Sequence, residues 1–324
     1  MTPPIEPGGE ECTFLSDVSP SDKPWDIHRA QTDILRDICK LNDEFERYAE
    51  RMNACSGWLS FAQVPGDNGE LTFKLQRARF CRYRHCPVCQ WRRALMWRAR
   101  FFQALPQLLN DYPKAEFLFL TLTVRHRPAN ELRQTLAQMN KAWTLLTKRK
   151  QFPGLGYVKS TEVTRSANGY AHAHFHVLIM VTDGYFKRGY LSKDKWIELW
   201  QSCLKVDYAP SVDVKKVRER GKAAEKSSDP NVARLKAICE TLKYSIKPSD
   251  LVADPEWFYE INRQLHKTRA VAVGGLLKNY LSEEEPEDLI HSDLDEEEDV
   301  PEQAKEITFG WREMYKRYAH NKDA

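Results

Sequence analysis

The run Tyr170–Val181 carries three imidazoles, His172, His174 and His176, at two-residue spacing within an apolar, β-prone stretch. Strand residues alternate between faces, so the three rings project together while Phe175, Val177, Ile179 and Val181 form an apolar back. A sheet built this way can offer nitrogen ligands to a cleft; the plain alternative is the polar outer face of a half-buried strand. The preceding run, Gly156–Arg165, also reads as a strand, and Ser166-Ala-Asn-Gly169 has turn chemistry. A two-residue loop at Asn168-Gly169 would set residue 163 against 174 and turn Glu162 away from the imidazoles. A three-residue loop, Ala167-Asn168-Gly169, closed by a left-handed glycine, pairs Ser166 with Tyr170 instead. Glu162 then opposes His174, Thr164 opposes His172 and Ser160 opposes His176, with Cβ atoms about 4.5–5.5 Å apart. The three-residue loop is preferred because it leaves Val163 on the apolar side with Phe175 and Val177. The expected centre is a divalent-cation site of Glu162, His174 and His176, with His172 a further candidate ligand. Imidazole with carboxylate suits Mn²⁺, Zn²⁺ or Fe²⁺ and, less well, Mg²⁺.

A second constellation is Cys81-Arg-Tyr-Arg-His-Cys-Pro-Val-Cys89, spaced C-x4-C-x2-C. The C-P-x-C turn lets two thiolates converge on one tetrahedral ion, so a structural Zn²⁺ is expected on Cys81, Cys86 and Cys89. Cys55 leads for the fourth place and His85 is the runner-up. Arginines crowd this segment, among them Arg79, Arg82, Arg84, Arg92 and Arg93, interleaved with Phe80, Tyr83, Trp91 and Trp97, and no acid lies between Glu70 and Asp111. Guanidinium groups neutralise phosphates and aromatic rings stack on bases, which marks a DNA-contacting element. Some of those rings must also be core.

A third constellation lies in Cys239-Glu-Thr-Leu-Lys-Tyr-Ser-Ile-Lys247. Leu235, Ile238 and Leu242 make one helical face; Glu240, Tyr244 and Lys247 share the opposite one. Alone this is an ordinary solvated face. Beside a metal it becomes a nucleophile: a phenol with a pKa near 10 gains from an adjacent lysine, and a cation on the phosphate lowers the barrier at phosphorus. A carboxylate one turn away can activate water instead.

The elements that must position these groups follow an α+β order. An amphipathic helix is expected from Trp25 to Met52, buried through Ile27, Ile34, Ile38, Leu41, Phe45 and Tyr48. Short strands surround the cysteines, and a helix opens at Pro87 and passes Phe102. Glu116–Val124 reads as a buried strand, and Leu132, Leu136, Met139, Trp143 and Leu146 mark a helix. Helices are also expected from about Lys193 to Cys203 and from Asp229 to about Ile246. The sum is an antiparallel sheet packed by helices.

At 324 residues the chain can bury a sizeable core. No apolar run has membrane-spanning length and no signal peptide is evident, so a cytoplasmic protein is expected. Eight cysteines without a secretion signal favour metal binding over disulfides. The net charge of +3 conceals an acidic run, 283–302, with twelve acids and no lysine or arginine; the remainder carries 49 basic against 34 acidic residues. Such a body suits a polyanion, DNA or RNA, with the acidic run a solvated or autoinhibitory segment.

Together and in this order, the motifs resemble the rolling-circle replication initiators (Rep proteins) of small bacterial plasmids, in the HUH endonuclease superfamily. The resemblance rests on Cys55, the 81–93 run Cys-Arg-Tyr-Arg-His-Cys-Pro-Val-Cys-Gln-Trp-Arg-Arg, Phe119–Val124, Glu162-Val-Thr, His174-Phe-His176 and Glu240-x3-Tyr244-x2-Lys247. It implies a sheet of about five antiparallel strands with the histidines on a central one. It also implies that Tyr244 nicks plasmid origin DNA and keeps the 5′-phosphate, that the freed 3′-OH primes a host polymerase, and that Glu240 assists hydrolysis at termination. His172 departs from the family's two-histidine pattern. No G-x-x-x-x-G-K-[ST] motif is present, so a host helicase is an implied partner. The implied organisation is a disordered tail plus amphipathic helix over 1–54, a zinc-binding, DNA-contacting module over 55–100, the catalytic domain over 101–250, and a C-terminal extension over 251–324. Rival readings are a relaxase or single-tyrosine transposase, a cupin-like oxygenase and a non-catalytic zinc DNA-binding protein. The cupin pattern needs an acid shortly after the second histidine, and Val177 to Thr182 has none.

Overall fold

A computed structural model describes residues 12–65, 71–217, 246–281, 289–290 and 304–320. The expected helix from Asp229 to about Ile246, with Glu240 and Tyr244, lies outside the described residues, as does nearly all of the acidic run. The strands described are β1 (Trp58–Pro65), β2 (Leu71–Ala78), β3 (Glu116–Thr123), β4 (Gly156–Arg165), β5 (Ala171–Val181), β6 (Val212–Lys216), β7 (Val271–Gly275), β8 (Glu306–Arg312) and β9 (Arg317–His320). The chain divides into two compact units, Met1–Met96 with Pro286–Ala324, and Trp97–Glu285.

In the second unit the strands form an antiparallel sheet in the order β6-β3-β5-β4-β7, an α+β architecture with the histidine strand at its centre. The β4–β5 hairpin has the three-residue loop. Ser166 N donates to Tyr170 O at 2.9 Å, Gly169 N donates to Ser166 O at 2.9 Å, and Gly169 takes φ +78°, which costs a glycine nothing. Ser160 accordingly opposes His176, Glu162 opposes His174 and Thr164 opposes His172.

The two faces of this sheet differ. Phe175, Val177, Ile179 and Val181 are fully buried on one. Helix Leu132–Thr147, with Leu132, Leu136, Met139, Trp143 and Leu146 inward, packs on β5 and on helix Lys193–Leu204. Ser192 caps the latter helix, and its Trp200 donates to Thr123 O at 2.9 Å. On the opposite face, Trp97, Phe101, Leu105 and Leu108 of helix Pro87–Asp111 cover Phe117, Val158, Leu178, Met180 and Val273. Toward the hairpin the same face turns polar, presenting Thr121, Ser160, Glu162, His174 and His176. Core gives way to site along single strands.

The segment read as a C-terminal extension contributes to both sheets. β7 pairs with β4, and β8 joins β1 in a four-stranded sheet ordered β2-β1-β8-β9. Two expectations near the N-terminus also change. Phe14 and Leu15, within the expected disordered tail, are buried, and Phe14 bridges to Ala319. The expected single helix is two, Lys23–Lys40 and Glu46–Asn53. Ile27, Ile34 and Leu41 stay 48 %, 47 % and 76 % exposed, while Arg29, Asp33 and Arg36 face inward. The inward face combines apolar Trp25, Leu35, Ile38 and Cys39 with buried ion pairs: Asp33 meets Arg29 at 2.9 Å and Arg36 at 3.0 Å. No helix among the described residues is long and apolar enough to cross a membrane.

Candidate functional site

On the polar end of the second unit's sheet, Glu162 Oε2 lies 2.5 Å from His176 Nε2. Thr121 Oγ1 sits 3.2 Å from the other ring nitrogen, Nδ1, which orients the imidazole. The His174 and His176 rings are nearly parallel, 7° apart, with centroids separated by 6.0 Å. Phe119 stacks beyond His176 at 5.7 Å. His174 Nε2 is 3.2 Å from Thr164 Oγ1. Burial, then the charge of His172, pulls the His174 pKa down to about 4, which outweighs the opposite pull of Glu162. At neutral pH the ring is uncharged, the form that binds metals. Burial would raise the Glu162 carboxyl, but the His176 hydrogen bond and the charges of His176, His174 and Lys247 hold it below its ordinary value. The face thus offers neutral nitrogen and ionised oxygen side by side. Among the described residues, however, no three donors here approach one another as closely as the cysteines do.

Lys247 is the described member of the tyrosine constellation, and its charge bears on both Glu162 and His174. The chain just beyond it is tied to the hairpin. Arg165 N donates to Asp250 Oδ2 at 3.1 Å, and the Arg165 guanidinium donates to Asp254 Oδ2 at 2.8 Å. Nothing in the sequence spacing announced that tie. His126 was also missed. Its exposed ring lies 6.0 Å from His172, whose ring is 4.2 Å from His174, so the imidazole row is longer than the strand motif. The basic run Arg125-His-Arg127 directly after β3 was the available signal.

In the first unit, Cys55, Cys81, Cys86 and Cys89 bring their sulfurs within 4.8 Å of one another, a group that could hold a metal ion. Cys55 Sγ is 3.7 Å from Cys86 Sγ and 3.6 Å from Cys89 Sγ, and Cys81 Sγ is 3.6 Å from Cys89 Sγ. A tetrahedron with Zn–S bonds of about 2.3 Å has edges of about 3.8 Å. The spacing therefore fits a four-thiolate zinc site and is far too long for disulfides. His85, buried nearby, is not in the group. Pro87 opens a helix, so Cys89 sits in its first turn, where partial positive charge favours a thiolate. Hydrogen bonds with Cys81, Cys86 and Cys89, together with burial, push the Cys55 thiol up, as a cluster short of cationic charge requires.

The candidate DNA-contacting arginines separate by burial. Arg79 and Arg82 are exposed, and Arg84 and Arg93 are half-buried, Arg93 donating to Arg82 O at 2.7 Å. Arg92 is turned inward, which removes it from the phosphate-contacting set. It donates to Leu289 O at 2.7 Å and Ile290 O at 2.5 Å, and its guanidinium lies 5.1 Å from the Trp25 ring centroid. Tyr83 and Trp97 are core rather than open stacking faces.

A cysteine cluster that could hold a metal ion, ahead of an antiparallel sheet with histidines on its central strand, defines the class: an α+β protein. Residues 72–319 match the family model described as "Replication protein". The chain belongs to that family, and with it to the rolling-circle plasmid replication initiators its motifs resemble. It is similar to "Protein rep" of Streptococcus pneumoniae serotype 2 (strain D39 / NCTC 7466), 33% identical over 289 residues, covering 86% of each chain. "Protein rep" of Lactiplantibacillus plantarum is 35% identical over 285 residues, 83% of this chain and 86% of that one. "Protein rep" of Lentilactobacillus hilgardii is 32% identical over 314 residues, 92% and 96% of the two chains. No solved structure matches.

Proposed function

We propose that this replication initiator nicks and rejoins single-stranded DNA at its plasmid origin through a covalent tyrosine intermediate. The observation that carries the reading is the sheet face shared by Glu162, His174 and His176, with the Lys247 charge acting on Glu162 and His174. Two imidazoles and a carboxylate suit a divalent cation, Mn²⁺ or Mg²⁺. Bound there, it would draw charge from a phosphate oxygen and lower the barrier at phosphorus. His172 and His126 extend the row and are candidates for phosphate contact.

Lys247 follows Tyr244 by three residues, a chain length of about 10 Å, which supports Tyr244 as the nucleophile. Lys247 favours its phenolate. The phenolate oxygen attacks phosphorus, the bond from phosphorus to the 3′ oxygen breaks, and that oxygen takes a proton to become the 3′-OH primer. The 5′-phosphate stays on Tyr244, conserving the bond energy for rejoining. By resemblance, Glu240, four residues earlier, activates water to hydrolyse the last adduct. Cys55, Cys81, Cys86 and Cys89 hold a structural Zn²⁺, and Arg79, Arg82, Arg84 and Arg93 meet the DNA backbone. A host helicase and polymerase complete the cycle in the cytoplasm.

The test is incubation of the full chain with labelled origin oligonucleotides and Mn²⁺, followed by mass spectrometry of the tryptic digest. A DNA-linked peptide containing Tyr244 is expected, with no cleavage by Tyr244→Phe and an accumulated adduct in Glu240→Ala. Cleavage by Tyr244→Phe would remove the proposed nucleophile.

A further inference from the structure

The helix Lys23–Lys40 turns Asp26, Arg29, Asp33 and Arg36 inward, each 8 % exposed or less. Buried charges persist only when paired and hydrogen-bonded. Asp33 is held by Arg29, by Arg36 and by Trp311 Nε1 at 2.8 Å. Arg29 Nη1 and Nη2 also donate to backbone carbonyls: Met52 O and Asn53 O at 3.2 Å each, and Cys55 O. These carbonyls belong to the end of helix Glu46–Asn53 and the turn after it, where no intrahelical partner exists. From the other end of the chain, Tyr318 on β9 donates its hydroxyl to Ser56 O at 2.7 Å, and Ser56 Oγ lies 3.0 Å away. Ser56 takes φ +47°, a left-handed conformation that is strained for a residue with a Cβ. The turn carrying Cys55 is therefore strained and is held from both sides.

We propose that Arg29 and Tyr318 are positioning residues for Cys55, so that metal retention by the cysteine cluster depends on docking of both ends of the chain. The proposal rests on the cluster being a metal centre. Cys81, Cys86 and Cys89 lie within nine residues of one another and converge by local turn chemistry. Cys55 is 26 residues upstream of Cys81 and has no such local restraint. Its sulfur must nonetheless lie within a tetrahedron's edge of Cys86 and Cys89, and it accepts the Cys81 N–H at 3.4 Å. If the turn loosens, three thiolates and an open coordination position remain, and an open position exchanges.

The experiment uses the full chain loaded with Zn²⁺ or Co²⁺. It measures ion content, the rate of Zn²⁺ release to EDTA, and the thiolate-to-cobalt charge-transfer intensity per ion, which counts sulfur ligands. The wild-type cysteine cluster should hold one ion with a four-thiolate spectrum, and Cys55→Ser should give a three-thiolate spectrum there. Tyr318→Phe should still bind one ion, release it at least tenfold faster, and move in intensity toward Cys55→Ser. Arg29→Lys keeps a cation beside Asp33 but cannot span three carbonyls. It should behave alike, and it decides the matter if Tyr318→Phe does not fold. Met314→Ala, at an 80 % exposed position between β8 and β9, should match wild type. Wild-type release and spectra in Tyr318→Phe and Arg29→Lys would overturn the positioning role while leaving the metal centre standing. A wild type that shows no thiolate-to-cobalt charge transfer would overturn the metal centre itself.

Discussion

The cysteine cluster and the histidine face offer metal-binding side chains in opposite ways. In the first unit four thiols already sit at tetrahedral spacing and are nearly all buried, with backbone N–H groups, a helix N-terminus and a supported turn around them. In the second unit two imidazoles and a carboxylate share a face, yet their donors have not converged. His176 holds Glu162, and His174 rests on Thr164. A closed set of ligands stabilises a fold, whereas an open one leaves room for a phosphate oxygen. The difference comes from where each lies: one is enclosed by its unit, the other is on the polar, hairpin end of a sheet face.

The contrast can be broken by substitution. Its largest expected consequence is in Cys86→Ser, which should lose one zinc per chain and unfold the cysteine unit, because structural zinc supplies about 10–16 kcal/mol of folding energy. Metal analysis and thermal melting check this, and an unchanged zinc content and Tm would erase the distinction. His176→Ala should do the reverse. Nicking should fall about a thousandfold, with Tm and zinc content unchanged, because only transition-state charge stabilisation is removed. A lowered Tm with activity retained would make the histidine face structural.

Arginines sharpen the comparison at smaller scale. Arg92→Ala should cost about 2–4 kcal/mol in urea unfolding, since two carbonyls lose a charged donor and a buried guanidinium leaves a void. Arg82→Ala should leave stability unaltered and lower the slope of log K for DNA against log salt by about one. Equal salt slopes for the two variants would return Arg92 to the DNA surface. The sealed side of the sheet supplies the smallest test. Lys159 is buried there against Phe175, with Asn140 Oδ1 at 2.8 Å, and burial pulls its pKa down to about 8. Below that pH both folded and unfolded chains carry the proton, so the folded state bears the full penalty. Between about 8 and 10.4 the unfolded chain binds more protons, and stability rises with pH. Lys159→Met should therefore gain about 1–3 kcal/mol at pH 7, with the gain shrinking toward pH 10. A pH-independent difference between the two proteins would contradict the buried charge.

Some of this was legible residue by residue. The loop Ala167-Asn168-Gly169 decides which strand residues oppose one another, because its glycine alone tolerates φ +78° and a one-residue slip would turn Glu162 to the other face. The helical stripe from Leu132 to Leu146 and the turn around Cys86-Pro-Val-Cys89 are likewise local, set by spacing within a dozen or so residues. The same logic found the buried Ile38 of helix Lys23–Lys40 but not the rest of its inward face. Ile27, Ile34 and Leu41 have the apolar repeat, but Arg29, Asp33 and Arg36 find partners in Trp311 and Glu313 almost three hundred residues away. No window along the chain contains both halves of that exchange.

What the sequence determined by itself was the chemistry: which side chains could ligate, attack or pair, and which neighbours alternate or recur with them. What only the tertiary structure decided was orientation and company. It selected Cys55 over His85 for the thiol group, turned Arg92 inward, tied Arg165 to Asp250 and Asp254, and brought β8 beside β1. The reason is physical. Periodicity and turn preference act between near neighbours, whereas burying a charge or completing a sheet is settled by whichever distant segment supplies the matching donor, acceptor or strand edge.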